Sequence, residues 1–526
     1  MMSRYARLAT APIPQTEPLN ERQVLNNAKG FVFAVSDWTR LDRFLILGSD
    51  SNTFYQNAKA LTRENAKCVE RCYGLDAERT VAVIVNISES GRAPKNDPAI
   101  FALALGAVHA DVNVRRLALN ALPLVCRTST HLFQFVDTVR ALKRGWGRTL
   151  KRAVARWYES KSADKLAYQA IKYRARENYT HKRMLQSAHP KSDGTPEKAA
   201  LYNWICGKDF DPLGVPGILQ AHRYAMQTND ESELLAVIRE YNLPWEAIPT
   251  EATTNPKVWS AMLPNLGLTA LIRNLGKMTS IGALKPLSDD TALVVNRLSL
   301  GEEIRKSRVH PFNVLQALAV YRSGHGVKGA LKWEPVPTIL DALDNAFYLA
   351  FQNVEPTGKR TLIGLDVSGS MCSPFMGSSL TVAEASAAMA MVTMRTENNW
   401  HVLAFDHGMR DLGITAKMSL ATVTEKTSDI NGGGTDCSLP MLYALRNDLK
   451  VDTFVVQTDN ECWAGAVHPV IALQDYRNKT GINAKLVVIG FTSTGFSIAD
   501  PTDAGMLDCV GFDASAPAVI ADFVRG

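Results

Sequence analysis

The sequence predicts a chain of two architectures, an array of paired α-helices followed by a doubly wound α/β unit, and three observations carry that reading. Apolar residues recur at helical spacing up to about residue 350, with only a few residues between segments. Beyond residue 360 the pattern changes to short apolar runs alternating with helical stretches. The charge changes with it: residues 115–191 hold 18 Lys and Arg against 4 Asp and Glu, and residues 361–526 hold 10 against 18. One part is built for an anion and the other for a cation.

A length of 526 residues allows about three domains of ordinary size. Hydrophobic content of 46% and charged content of 21% describe an ordinary globular chain. The eight cysteines form no CxxC pair and no zinc-like spacing, so reduced thiols are expected. No run of 18 apolar residues occurs, and the first residues lack an apolar core of signal-peptide length. A cytoplasmic location without membrane association is the expectation.

Residues 1–24 are rich in Pro and polar residues and read as an extended arm; residues 25–359 read as helical. Asp97-Pro98 supplies a cap and a first-turn proline, after which Ile100, Leu103, Ala104, Ala107 and Val108 share a face. Asp111 caps the next segment, and further helices are predicted at about 128–144, 147–160 and 162–175. Short joints between amphipathic helices argue for antiparallel neighbours stacked in HEAT-like fashion. No sequence period proves repeats, so an irregular helical domain is the alternative.

The basic cluster lies on these helices, from Arg115-Arg116 through Lys143-Arg144, Lys151-Arg152 and Arg156-Trp157 to Lys182-Arg183. Such cations neutralise phosphates, and interleaved aromatics stack on unpaired bases. A single Arg here reads as a solvated helix face, but the self-repulsion of the whole segment costs stability unless a polyanion uses it. The turn Ser323-Gly-His-Gly-Val-Lys328-Gly lacks the Walker pattern and reads as an ordinary loop.

From 360 to 526, strands are expected at 361–366, 401–405, 453–458 and 485–491, with helices at about 381–396, 438–449 and 465–478. Thr361 to Leu365 is apolar and ends in Asp366-Val-Ser368-Gly-Ser370. Asn431-Gly-Gly-Gly-Thr435 is a glycine-rich turn, and Thr453 to Thr458 is a second strand ending in Asp459. Two carboxylates and three hydroxyls at strand ends make a hard-oxygen set for a divalent cation, Mg2+ first. The plain alternative is that the acids cap helices and the serines turn the chain. The ordered set resembles the metal-ion-dependent adhesion site of von Willebrand factor A domains, with Asp366, Ser368, Ser370, Thr435 and Asp459 as ligands.

Cys126-Arg-Thr-Ser-Thr-His, Ile171-Lys-Tyr-Arg-Ala-Arg, Leu268-Thr-Ala-Leu-Ile-Arg-Asn-Leu-Gly-Lys-Met, Arg308-Val-His-Pro-Phe and Gly432-Gly-Gly-Thr-Asp-Cys-Ser-Leu-Pro-Met extend the likeness along the chain. With them the sequence resembles the Ro autoantigen family of TROVE-domain proteins, in its bacterial form. The resemblance implies a monomeric ring of HEAT-like repeats closed by a von Willebrand A domain (residues 360–526). It implies small structured Y RNA on the basic outer surface, and single-stranded 3′ ends of misfolded RNA in the central hole. It also implies a tether through the Y RNA to the 3′ exonuclease polynucleotide phosphorylase, in RNA degradation and stress recovery. Carried onto matching positions, Arg127, Thr128, His131, Lys172, Arg174, Arg176 and His181 are the implied RNA contacts.

Three function classes compete. A non-enzymatic RNA-binding scaffold uses both charge regions. A metal-dependent protein-interaction module leaves the basic segment unexplained. A Mg2+-dependent hydrolase lacks a nucleophile with an adjacent base, a phosphate loop and a second metal site.

Overall fold

The computed structural model describes residues 12–48, 66–176, 178–326, 330–351, 355–378, 380–428 and 433–526. From residue 12 the arm runs along the C-terminal domain: Gln15 N donates to Gly465 O at 2.8 Å, and Arg22 clamps both oxygens of Asp500 at 2.8 and 2.9 Å. The next residues depart from the helical expectation. Strands β1 (Gln23–Leu25) and β2 (Phe31–Ala34) form an antiparallel hairpin, and β2 continues onto Phe496–Ser497 of the C-terminal domain. Helical pattern reading missed this hairpin because its strands are three and four residues long and find their third partner only across the fold.

The helical array then follows. Helices observed at Ser129–Ala141, Arg148–Glu159 and Ala163–Lys172 fall within the expected segments. Asp97–Val108 is more deeply placed than a one-sided stripe implies: Pro98 through Ala107 are all buried, because the helix lies between Val112–Val125 and Ser129–Ala141. Its Gly106 admits the Tyr73 hydroxyl, which a Cβ there would meet at 2.4 Å. A small ladder of β3 (Ala175–Arg176) and β4 (Tyr179–Thr180) links two helices of the array.

The array returns to its own beginning. His310 Nδ1 accepts from Phe312 N at 3.1 Å, so Nε2 carries the proton donated to Arg92 O at 2.9 Å, and Asn313 Nδ2 donates to Pro94 O at 3.2 Å. The C-terminal domain lies across this seam. Arg92 pairs with Asp513, and Phe312 meets Phe375 and Phe512 edge-on with centroids 5.4 and 5.7 Å apart.

That domain contains β5 (Arg360–Asp366), β6 (Asn399–Phe405), β7 (Met409–Arg410), β8 (Thr453–Thr458), β9 (Lys485–Gly490), β10 (Phe496–Ser497) and β11 (Met506–Val510). Among the described residues its main sheet runs β11-β9-β8-β5-β6-β7, parallel except for β7. Alternate residues of each strand enter opposite cores: Ile363, Val455 and Val487 join the core of the helical array, whereas Leu362, Phe454 and Leu486 join the hairpin's Val32 and Phe33. β11 escaped the sequence reading because Asp508 interrupts its apolar pattern; the buried Arg43 pairs with it at 2.7 Å.

Candidate functional site

The chain passes from β5 outward to β6 and later returns to β8 on the other side of β5, so the order reverses between β5 and β8. Ligands bind doubly wound sheets beyond the strand C-termini at such a point. Parallel register sets Leu365 opposite Gln457, which brings Asp366 and the residue after Thr458 to the same edge. Asp366 Oδ1 accepts from Ser368 N at 2.9 Å, and Oδ2 accepts from Thr458 Oγ1 at 2.6 Å. Ser368 Oγ lies 2.9 Å from Ser370 Oγ. Asp459 Oδ1 accepts from Glu461 N at 2.9 Å, while its Oδ2 is buried with no hydrogen-bond partner.

Thr435 arrives on the glycine-rich turn, whose first residues, Asn431 and Gly432, lie outside the described residues. Asp406 holds that turn by accepting from Gly433 N at 3.1 Å, and its backbone O accepts from Asp436 N at 2.9 Å. A Cβ on Gly434 would meet the Trp463 ring at 2.7 Å and Ala464 Cβ at 2.8 Å, so a side chain there would have to displace its neighbours. The supporting roles of Asp406 and Thr458 were not read in the sequence; Thr458 at least is signalled by its place beside Asp459.

The two acids are held where charge is unfavourable. Asp366 and Asp459 are 1% and 0% exposed. Burial, then the neighbouring Asp459 carboxylate, pushes Asp366 up to about 7, and burial raises Asp459 as well. Burying two carboxylates together is costly without a counter-charge. The orphaned Asp459 Oδ2 and the hydroxyls of Ser368, Ser370 and Thr435 are therefore a fitting donor set for a hard cation. Among the described residues no group of three His, Cys, Asp or Glu forms.

The basic segment is arranged differently. Helix Arg148–Glu159 buries Leu150, Ala153, Val154, Trp157 and Tyr158 and leaves Arg148, Lys151, Arg152 and Arg156 exposed. No Lys or Arg from 115 to 191 makes an ion pair among the described residues.

The residues that the resemblance singled out divide. Arg174 is exposed, and its Nη2 donates to His222 Nε2 at 3.1 Å. Lys172 is half-buried and donates to Tyr168 Oη at 3.1 Å. Thr128 caps helix Ser129–Ala141, accepting from His131 N at 3.3 Å. Arg127 is half-buried and donates to Ser88 Oγ at 2.8 Å, and His131 lies 3.4 Å from Asn96 Nδ2. His181 is an interior residue, 3.0 Å from Tyr158 Oη and edge-on to Phe133. Burial takes both His131 and His181 down to about 4, so they are neutral. The side chain of Arg176 lies outside the described residues, its backbone forming part of β3. The exposed cations of Arg148–Glu159, with Lys182 and Arg183, carry more of the accessible charge than that set does.

Residues 24–210 and 240–321 match the family model of the TROVE domain, and residues 360–524 match that of the Ro60 vWA domain. The chain is 44% identical to RNA-binding protein RO60 of Deinococcus radiodurans, over 98% of this chain and 97% of that one. It is 35% identical to RNA-binding protein RO60 of Caenorhabditis elegans, over 97% and 91%. The crystal structure of the Deinococcus radiodurans RO (RSR) protein superposes with a TM-score of 0.70 at 41% identity, covering 93% of this chain and all of that one. With both domains matched in order, the chain belongs to the Ro60 family of TROVE-domain proteins.

Proposed function

We propose that this protein is a non-enzymatic, RNA-binding component of a ribonucleoprotein, acting in RNA quality control. The observation that carries the reading is the unneutralised basic face: cations without ion pairs along helices 112–188 are what a polyanion needs. The family, and relatives named as RNA-binding proteins, point the same way. The finer reading is a small structured Y RNA on that outer face and single-stranded 3′ ends of misfolded RNA within the closed helical array. The Y RNA would tether polynucleotide phosphorylase, in the cytoplasm. Mg2+ is the ion we assign to Asp366, Ser368, Ser370, Thr435 and Asp459; bound there, it supplies a positive charge with coordination positions left for a partner oxygen.

Crosslinking and sequencing of RNA on protein purified gently from its own cells tests this, with Lys151→Gln/Arg152→Gln/Arg174→Gln alongside. Recovery of one small stem-loop RNA from the wild type, and its absence from the variant, is the expected result. Equal recovery of ribosomal fragments from both would overturn it.

A further inference from the structure

We propose that the cleft between helices Leu268–Ser280 and Pro311–Ser323 is a binding site for one unpaired RNA nucleotide, base inside and phosphate at the rim; this rests on the RNA-binding reading above. The cleft encloses about 450 Å³, within the range of about 300–1,000 Å³ typical of small-molecule sites. Its floor is apolar, built from the buried Ile272, Leu275 and Val309.

One wall is a fixed aromatic. Trp333 stacks against Tyr321 with centroids 6.1 Å apart and planes 18° apart, and its Nε1 donates to Tyr321 O at 2.9 Å. It presses so closely on the helix that a Cβ on Gly276 would meet the indole at 2.8 Å. This wall is therefore set before any ligand arrives.

Several polar groups of the lining keep capacity for a ligand. Asn313 commits its N–H to Pro94 O at 3.2 Å and keeps its amide oxygen free for other donors. Gln316, Arg273 and Lys277 also line the cleft, and their side chains have no hydrogen bond or ion pair among the described residues. Arg273 and Lys277 stand four residues apart, so they share a helix face. Amides read base edges, aromatic walls and apolar floors accept base faces, and paired cations take phosphate. A purely apolar ligand would leave both cations unused, and a simple anion would leave the floor unused.

The test uses the full chain, with a short fluorescent single-stranded RNA and a fully paired stem-loop as separate probes. Arg273→Gln/Lys277→Gln should weaken single-strand binding and flatten its salt slope by about 0.7, for the one phosphate at the rim. Stem-loop affinity and melting temperature should hold. Gln316→Leu should lower single-strand affinity without altering the slope. A 4-thiouridine in the single strand should crosslink to residues 268–280 or to Trp333. Unchanged single-strand affinity and slope in both variants, with stem-loop binding intact, overturns the cleft and spares the RNA-binding reading. Failure of the wild-type chain to bind either probe overturns both.

Discussion

The basic helical face and the buried carboxylate pair Asp366 and Asp459 both concentrate like charge, yet the fold treats them in opposite ways. Lys151, Arg152 and Arg156 stand in solvent, where water and salt screen their repulsion. Asp366 and Asp459 are sealed beneath the loops that present them, and one carboxylate oxygen has no partner. Exposed charge is inexpensive, long in reach and tolerant of its partner; buried charge is costly, short in reach and specific. The first suits a flexible polyanion and the second a single ion.

That contrast is broken most directly at Arg43, which is fully buried and gripped by Asp508 at 2.8 and 2.7 Å. Asp508→Ala leaves the guanidinium without its anion and should cost about 3–5 kcal/mol in denaturant melts. A loss below about 0.5 kcal/mol, like that of an ordinary surface change, would show that burial does not set the scale.

The buried carboxylate pair, with Mg2+ as its proposed ion, is the next sharpest case. Mg2+ at a hundredfold excess over its Kd should stabilise the wild-type chain by about 2.7 kcal/mol. Asp366→Asn should abolish that gain in thermal melts. If the variant gains as much as the wild type, the ion sits elsewhere.

The seam between first and last helices gives a smaller, pH-dependent effect. Burial takes His310 down to about 4, below its usual value, because a charged ring would lose water and Nδ1 already accepts from Phe312 N. The unfolded chain then binds the proton more readily, so stability is full above pH 6.5 and falls as pH drops towards 4. The slope is about 1.4 kcal/mol per pH unit for each such histidine. Melts between pH 4.5 and 7 should show it, and His310→Asn should make the slope shallower; an unchanged slope would exclude this residue as a source.

The smallest stability effect belongs to the basic face. Lys151→Gln/Arg152→Gln should shift unfolding by no more than about 0.5 kcal/mol per site. On structured RNA, the same change should reduce the salt slope by about 0.9 for each phosphate that is no longer neutralised. A large stability loss would mean that these side chains do pack.

Much of this was legible in the chain. β5 and β8 read as buried strands because both are apolar runs ended by a carboxylate, and the hydroxyls of Ser368, Ser370 and Thr435 fall at fixed turns. The helices around 129–172 read equally well, since their apolar spacing is local. His181 shows the limit. In the sequence it stands among Arg and Lys and suggests a contact; in the fold its helix turns it against Tyr158 and Phe133.

The two architectures and their opposite charges could be read from the chain alone, because periodicity, composition and residue chemistry are local properties. The folded chain was needed to see that residues 23–34 complete the C-terminal domain, that Asp406 holds the glycine turn and that Arg92 meets His310 across the seam. Those pairings join residues tens to hundreds of positions apart. Their strength comes from burial and hydrogen bonding that exist only once the chain has closed.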